Sequence, residues 1–241
     1  MSRMRPPSRL KAYLDLCRVS NLPTVWTNVL AALLLSGSEF SCANFCLLAL
    51  SLSLYYSGGM CLNDIRDVSR DRLQRPNRPI PSGRVSQRGA WWFTVLLFTS
   101  GMSLLAAAPH PRALLAGGAL LLLIIAYDIL HQAHSYSILL MAACRLTVFV
   151  VAAMAVSGTV GGIVLLAGGL QFGYVFLISA VARHEHGRNE PYPAPLVPLM
   201  LAGISLVDGV ALVLLASPAW LLAGLVGAIL TLLGQRCVRG D

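Results

Sequence analysis

Long apolar runs alternate with short polar stretches along almost the whole chain. A run of about 20 apolar residues is long enough to cross a bilayer as a helix. The pattern predicts eight such helices, over roughly 12–36, 41–62, 89–108, 112–130, 137–156, 160–182, 194–216 and 218–235. The expected fold is all-α: a polytopic transmembrane bundle, read as a single domain over 1–241. Residues 1–10, rich in Arg and Pro, read as a flexible basic arm. Three polar loops interrupt the apolar pattern, at 63–88, 131–137 and 183–193. Pro76, Pro79, Pro81 and Gly83 argue against a long regular element in the first loop. Trp91-Trp92 opens the third helix as an interfacial anchor.

Composition agrees with the pattern. The chain is 56% hydrophobic and 12% charged, whereas a soluble domain carries roughly 25% charge. The basic N-terminus precedes a long apolar run and a further run follows at once, so no cleavable secretory signal is read. The six cysteines form no CxxC pair. They read as buried reduced thiols rather than a disulfide or zinc framework. A nucleic-acid role for the basic tail is not expected, because it is short and adjoins a membrane span.

Charge sets an expected orientation. With eight spans, both termini and all three polar loops share one side. Of the 18 Lys/Arg residues, only Arg112 lies opposite, if Arg145 is counted with the polar loops. The positive-inside rule makes that side cytoplasmic. A site at this membrane surface, above an apolar chamber, is the expected arrangement.

The chemistry concentrates at Asn63-Asp64-Ile65-Arg66-Asp67-Val68-Ser69-Arg70-Asp71, followed by Arg75-Pro76-Asn77-Arg78-Pro79. In a helix, Asp64, Asp67 and Asp71 fall at i, i+3 and i+7 and share a face. Like charges at this spacing repel, so a cation is expected in front of them. Hard oxygen ligands suit Mg²⁺, which takes a few carboxylates, waters and phosphate oxygens. Arginines suit multidentate phosphate binding. The plain alternative is a soluble helix with ordinary ion pairs, such as Asp71 with Arg75. Carboxylates between two apolar runs favour function.

Other polar residues lie inside the spans. Arg18, Asn21, Thr24, Trp26 and Asn28 crowd the first half of helix 1. Arg18 either snorkels to the interface or faces the bundle. Arg145 lies in helix 5. Asp208 in helix 7 is either a bundle contact or sits near the far interface. His131 and His134, at i,i+3, are weak evidence for a metal. Arg183-His184-Glu185-His186-Gly187-Arg188 departs from the His-Glu-x-x-His zinc pattern.

The first motif, Asn63-Asp64-x-x-Asp67-x-x-x-Asp71 with Arg75-Pro76 and Arg78-Pro79, resembles the first aspartate-rich motif of the UbiA intramembrane prenyltransferases. The segment Arg18-Val19-Ser20-Asn21-Leu22-Pro23-Thr24, Tyr127 at the end of helix 4, and the loop order are also similar. Helix 1 and the Arg183-His184-Glu185 loop resemble the EboC-like branch in particular.

The resemblance implies a Mg²⁺-dependent membrane enzyme that binds an allylic prenyl diphosphate. It would transfer the isoprenoid to an aromatic or other electron-rich, hydrophobic acceptor. Asp64, Asp67 and Tyr127 would be catalytic. Asn63, Arg18, Asn21, Arg75, Arg78, Arg145, Arg183 and Arg188 would bind substrate. Asp64, Asp67, Asp71 and Glu185 would hold metal. Two other readings are a non-catalytic relative that binds or transports a lipid or prenylated precursor, and a structural bundle within a biosynthetic complex. Three features depart from the family pattern. Its second motif is usually Asp-x-x-x-Asp, where this chain has Glu185 and Asn189. Its helix 4 tyrosine is often followed four residues later by Lys, where this chain has His131. Nine helices are usual, against eight here. One Mg²⁺, with arginine taking over part of the phosphate binding, is the resulting expectation.

Overall fold

The computed structural model describes residues 9–134, 136–186 and 195–238. Among them the chain forms ten α-helices and no strand. Seven of these are long and apolar enough to cross a membrane, and the shorter apolar segment Val19–Leu35 makes the eighth expected from the pattern.

Helix α1 (Arg9–Cys17) and α2 (Leu22–Leu35) replace the single first helix that the apolar pattern predicts. The break is local. Arg18 adopts a left-handed backbone with φ 47°, and a 3₁₀ turn over Val19–Asn21 follows. Pro23 then sits in the first turn of α2, where its missing N–H costs nothing. Apolar periodicity runs through this kink, so it does not reveal it. Arg9 and Leu10 are already helical, which shortens the expected flexible arm. Residues 1–8 lie outside the described residues.

Helix α3 (Cys42–Arg66) starts at Ser41, whose Oγ accepts from Asn44 N at 3.4 Å. It runs beyond its expected end at 62 and carries Asn63 and Asp64. Asp67 departs from helical geometry (φ −87°, ψ 0°), and α4 (Val68–Gln74) resumes. Backbone hydrogen bonds from Asp67 N to Asn63 O and from Asp71 N to Asp67 O cross the junction. It is a kink rather than a stop, and the first half of the expected polar loop is helical.

Helices α5 (Gln87–Ala106), α6 (Arg112–Leu130) and α7 (Ser137–Ser157) follow. Gly158 ends α7 at φ 69°, a left-handed conformation that glycine adopts without steric cost. Helix α8 (Gly162–His186) extends the sixth expected span through Arg183 and Glu185. The rest of the third polar loop, 187–194, including Arg188, lies outside the described residues. Helix α9 (Leu196–Leu215) and α10 (Leu221–Cys237) complete the bundle.

Packing relies on small residues, as bilayer helices must when lipid removes the hydrophobic drive. Tyr55 of α3, 1% exposed, seats its ring beside Gly101 and Gly117. A Cβ on Gly101 would come 2.9 Å from that ring. Gly224 of α10 lies so close to α9 that a Cβ would come 2.7 Å from the Ser205 carbonyl. Large apolar side chains such as Leu115, Leu122, Leu214 and Leu222 are exposed, as expected of lipid-facing positions. All six cysteines are free, but only Cys17 and Cys61 are buried in the protein. Cys42, Cys46 and Cys237 face outward, so the expectation of general thiol burial holds for two.

Candidate active site

A chamber of about 590 Å³ opens among the helices. Its deeper wall is apolar, with Val25, Leu52, Leu120, Val148 and Ile204. Its mouth is polar, with Asn63, Asp67 and Asp71 on one side and Arg75, Arg78 and Arg183 around it. Tyr127, Asp128, His131 and Gln132 form the facing wall. The polar stretches at 63–78, 131–137 and 183 thus meet at one end of the bundle.

The motif meets the chamber along one side. Asn63, Asp67 and Asp71, four residues apart, line it. Asp64 is 4% exposed and is not among the lining residues. It lies behind the wall, with Arg18 Nη2 at 3.1 Å and Arg78 Nη1 at 3.2 Å from Oδ1. Arg78 Nη1 also reaches Asp71 Oδ2 at 2.8 Å. Thus Asp64 anchors two of the arginines that reach the chamber, Arg18 and Arg78. Asp71 pairs with Arg78.

His131 occupies the wall opposite Asp67. Its Nε2 lies 2.8 Å from Asp67 Oδ1, and its Nδ1 lies 3.1 Å from the Asp128 carbonyl. Gln132 Nε2 also donates to Asp67 Oδ1. Burial works to raise the Asp67 carboxyl, but the hydrogen bonds from His131 and Gln132 outweigh it and hold its pKa below the usual range. The same contact with Asp67 raises the His131 pKa, against the effect of burial. Tyr127 stacks on His131 with centroids 5.3 Å apart. Across the mouth, Asn63 Nδ2 donates to Asp128 Oδ1 at 3.1 Å.

Arg145 lies eight residues into α7, about 12 Å below its polar end at 1.5 Å per residue. Its Nη1 donates to Asn28 Oδ1 at 2.8 Å and its Nη2 to Thr24 Oγ1 at 3.0 Å. Its guanidinium lies 5.6 Å from the Tyr56 ring centroid. Asn28 Nδ2 in turn donates to Asp208 Oδ2 at 2.7 Å, and Gln171 Nε2 donates to Asp208 Oδ1 at 2.7 Å. Asp208 is therefore a bundle contact, 1% exposed. The Asn28 amide joins α2 to α7 and α9, Gln171 adds α8, and together they hold the arginine against the chamber wall. Asn21 also lines the chamber and donates to the Tyr56 hydroxyl at 3.2 Å.

The remaining expected site residues are spread more widely. Arg183 lines the mouth, and its Nη2 donates to Ser137 Oγ at 3.1 Å. Glu185 is not among the lining residues. His134 stacks on Tyr136 at 4.8 Å rather than joining His131. Sequence reading missed Asp128 as a site residue. Its signal was present: a carboxylate at the end of an apolar run.

The donor set fits a hard divalent cation. Among the described residues no three His, Cys, Asp or Glu side chains form a ready-made cage. Mg²⁺ needs none, since it binds through one or two carboxylates, waters and substrate phosphates. Asp67 and Asp71 offer such carboxylates at the mouth. A further buried oxygen there, Asp128 Oδ2, has no hydrogen-bond partner among the described residues.

A model of the UbiA prenyltransferase family matches residues 24–239. A digeranylgeranylglyceryl phosphate synthase from Methanococcus aeolicus is 36% identical over 96 residues, 39% of this chain and 34% of that protein. One from Ignicoccus hospitalis is 35% identical over 120 residues, 49% of this chain and 39% of that protein. The matched stretch thus spans about a third of the length of these curated relatives. Among solved structures, one of a digeranylgeranylglyceryl phosphate synthase superposes with TM-score 0.65 at 17% identity, covering 95% of each chain. A UbiA homologue from Archaeoglobus fulgidus bound to DMAPP and Mg²⁺ superposes with TM-score 0.61 at 16% identity, covering 90% of this chain and 85% of that one.

Proposed function

This chain belongs to the UbiA prenyltransferase family, and on that premise we propose that it is an integral membrane, Mg²⁺-dependent prenyltransferase. It moves an isoprenoid group from an allylic prenyl diphosphate to an electron-rich hydrophobic acceptor, such as an aromatic ring or a lipid hydroxyl. The observation that carries this reading is the chamber itself: an apolar interior under a mouth of carboxylates and arginines. A prenyl diphosphate has the same two halves. Relatives named digeranylgeranylglyceryl phosphate synthase, and a homologue bound to DMAPP and Mg²⁺, support the reading.

The residues divide the work by position. Asp67 and Asp71 would hold the Mg²⁺. When bound, the ion supplies positive charge that stabilises the departing diphosphate. Arg75, Arg78 and Arg183 offer charge-assisted hydrogen bonds to the phosphate oxygens, and Arg188 is assigned with them from the motif. Asp64 holds Arg18 and Arg78 from behind. Glu185 is retained as an outlying carboxylate for the metal. Tyr127 lines the chamber, where an aromatic ring would suit positive charge developing on the allylic carbon. Arg145 and Asn21 line the wall deeper in, where they would orient the acceptor. Donors fixed before the reaction act on the transition state without reorganising.

The polar-loop end is assigned to the cytoplasm by the positive-inside rule. Reporter fusions at the C-terminus check this, and an outside reading rejects it.

Incubation of the purified protein with Mg²⁺, a panel of allylic diphosphates and candidate acceptors tests the activity. Release of pyrophosphate with formation of a prenylated product, abolished by EDTA, is the expected result. Tight diphosphate binding without product across the panel would favour a carrier over an enzyme.

A further inference from the structure

We infer that Asp128 is an additional cation ligand at the chamber mouth, set across from Asp67 and beside Asn63, which helps hold a divalent cation against the diphosphate. This rests on the prenyl diphosphate reading above and adds to it a ligand outside both aspartate motifs.

The argument starts from charge. Three carboxylates line the chamber: Asp67, Asp71 and Asp128. Asp71 is paired with Arg78 at 2.8 Å, and Asp67 with His131 at 2.8 Å. Asp128 has no ion-pair partner among the described residues, although it is 3% exposed. Its Oδ1 accepts one hydrogen bond, from the Asn63 amide. Its Oδ2 accepts none among the described residues. A buried carboxylate with an orphaned oxygen is costly unless something polar or positive reaches it.

Position comes next. Asn63 is one turn before Asp67 on the same chamber-facing side of α3, and it is the residue that holds Asp128. His131 binds the Asp67 carboxylate on one side and the Asp128 backbone carbonyl on the other. The ends of α3 and α6 are thereby tied together at the mouth, with the Asp128 side chain left over. Asp128 would join Asp67 and Asp71 around the ion, with water and phosphate oxygens completing the oxygen shell that Mg²⁺ requires.

The chain also has room for such a ligand. Where two aspartates are expected between α8 and α9, it has Glu185 and Asn189. Glu185 does not line the chamber. A carboxylate on α6 compensates for charge absent from that loop.

Mn²⁺ is the probe, read by electron paramagnetic resonance on the full chain in detergent. It is titrated with and without geranyl S-thiolodiphosphate, an unreactive allylic diphosphate analogue. The wild type is expected to bind Mn²⁺ more tightly when the analogue is present. Asp128→Asn keeps the hydrogen bond with Asn63 and removes the charge. It should raise the Mn²⁺ dissociation constant at least tenfold, with a melting temperature within a few degrees of wild type. Asp128→Glu should stay within about threefold of wild type. If the asparagine variant fails to fold, Asp128→Ser provides the same comparison. Wild-type Mn²⁺ affinity in a folded neutral variant overturns the inference alone, leaving Asp128 as a clamp between α3 and α6. Absence of analogue-dependent Mn²⁺ binding in the wild type overturns the diphosphate reading as well.

Discussion

Arg78 reaches back seven residues to Asp71, with Nη1 2.8 Å from Oδ2. The same nitrogen lies 3.2 Å from Asp64 Oδ1. The Arg-Pro segment after the motif therefore folds back over it, and one guanidinium joins a lining carboxylate to a hidden one. Arg78→Gln should weaken binding of an allylic diphosphate about 10- to 100-fold at saturating Mg²⁺. That is the scale of a lost charge-assisted contact, about 1.5–3 kcal/mol. A binding isotherm with a labelled diphosphate analogue checks it, and wild-type affinity rejects the phosphate role.

Asp67 and Asp64 should behave differently when neutralised. Asp67→Asn is expected to weaken Mg²⁺ binding and lower turnover by about 10²-fold or more, on the scale of a deleted transition-state contact. Asp64→Asn should act through Arg18 and Arg78. It should lower diphosphate affinity and cost stability, about 1–3 kcal/mol for a weakened, largely buried pair. Titration of Mg²⁺ dependence alongside thermal unfolding separates them. Identical profiles would mean that Asp64 is a direct ligand.

Arg183 and Arg188 test the departure at the second motif. The double change to Gln should weaken diphosphate affinity at saturating Mg²⁺ while leaving Mn²⁺ binding to the first motif intact. Unchanged affinity would make them a surface cluster at a helix end, worth little.

Asp208 should matter for stability more than its distance from the mouth suggests. Asp208→Ala takes the acceptor from the Asn28 amide and one of the two acceptors from Gln171 Nε2, which keeps the Ile204 carbonyl. A loss of about 2–4 kcal/mol is expected from unsatisfied buried groups, with the isosteric Asn losing less. Thermal unfolding in one detergent, with all variants in parallel, measures it. A wild-type midpoint for Ala would show that water replaces the carboxylate.

Gly224→Ala should destabilise the α9–α10 contact by about 1–3 kcal/mol, the usual cost of overpacking. The obstructing atoms are the Ser205 carbonyl and the Gly209 Cα, which are backbone and cannot turn aside. Gly118, with open space around its Cβ position, is the matched control. Equal midpoints for both alanine variants would show that the two helices can part without loss.

Much of this protein is legible in its sequence, because the bilayer leaves few options. A backbone in lipid must satisfy its own hydrogen bonds, so long apolar runs become helices. That determined the number of apolar helices, their approximate limits, the grouping of the polar stretches at one end and the motif that draws phosphate chemistry. Asn63, Asp67, Asp71, Arg75 and Arg78 were legible in the motif and Tyr127 through the family resemblance, and the structure gathers them around one chamber. Three-dimensional packing decided the rest. The i, i+3, i+7 spacing placed Asp64 on the working face, but packing turned Asn63, Asp67 and Asp71 to the chamber and set Asp64 behind with Arg18 and Arg78. The pairing of Asn28 with Asp208, 180 residues apart, has no sequence signal, because either residue alone fits a tolerated polar group. Asp128 looked like the plain end of a helix until the fold buried it beside Asn63 with one oxygen unmatched. Periodicity reports which face of a helix is apolar; which polar group meets which is fixed only when helices distant in sequence exclude water together.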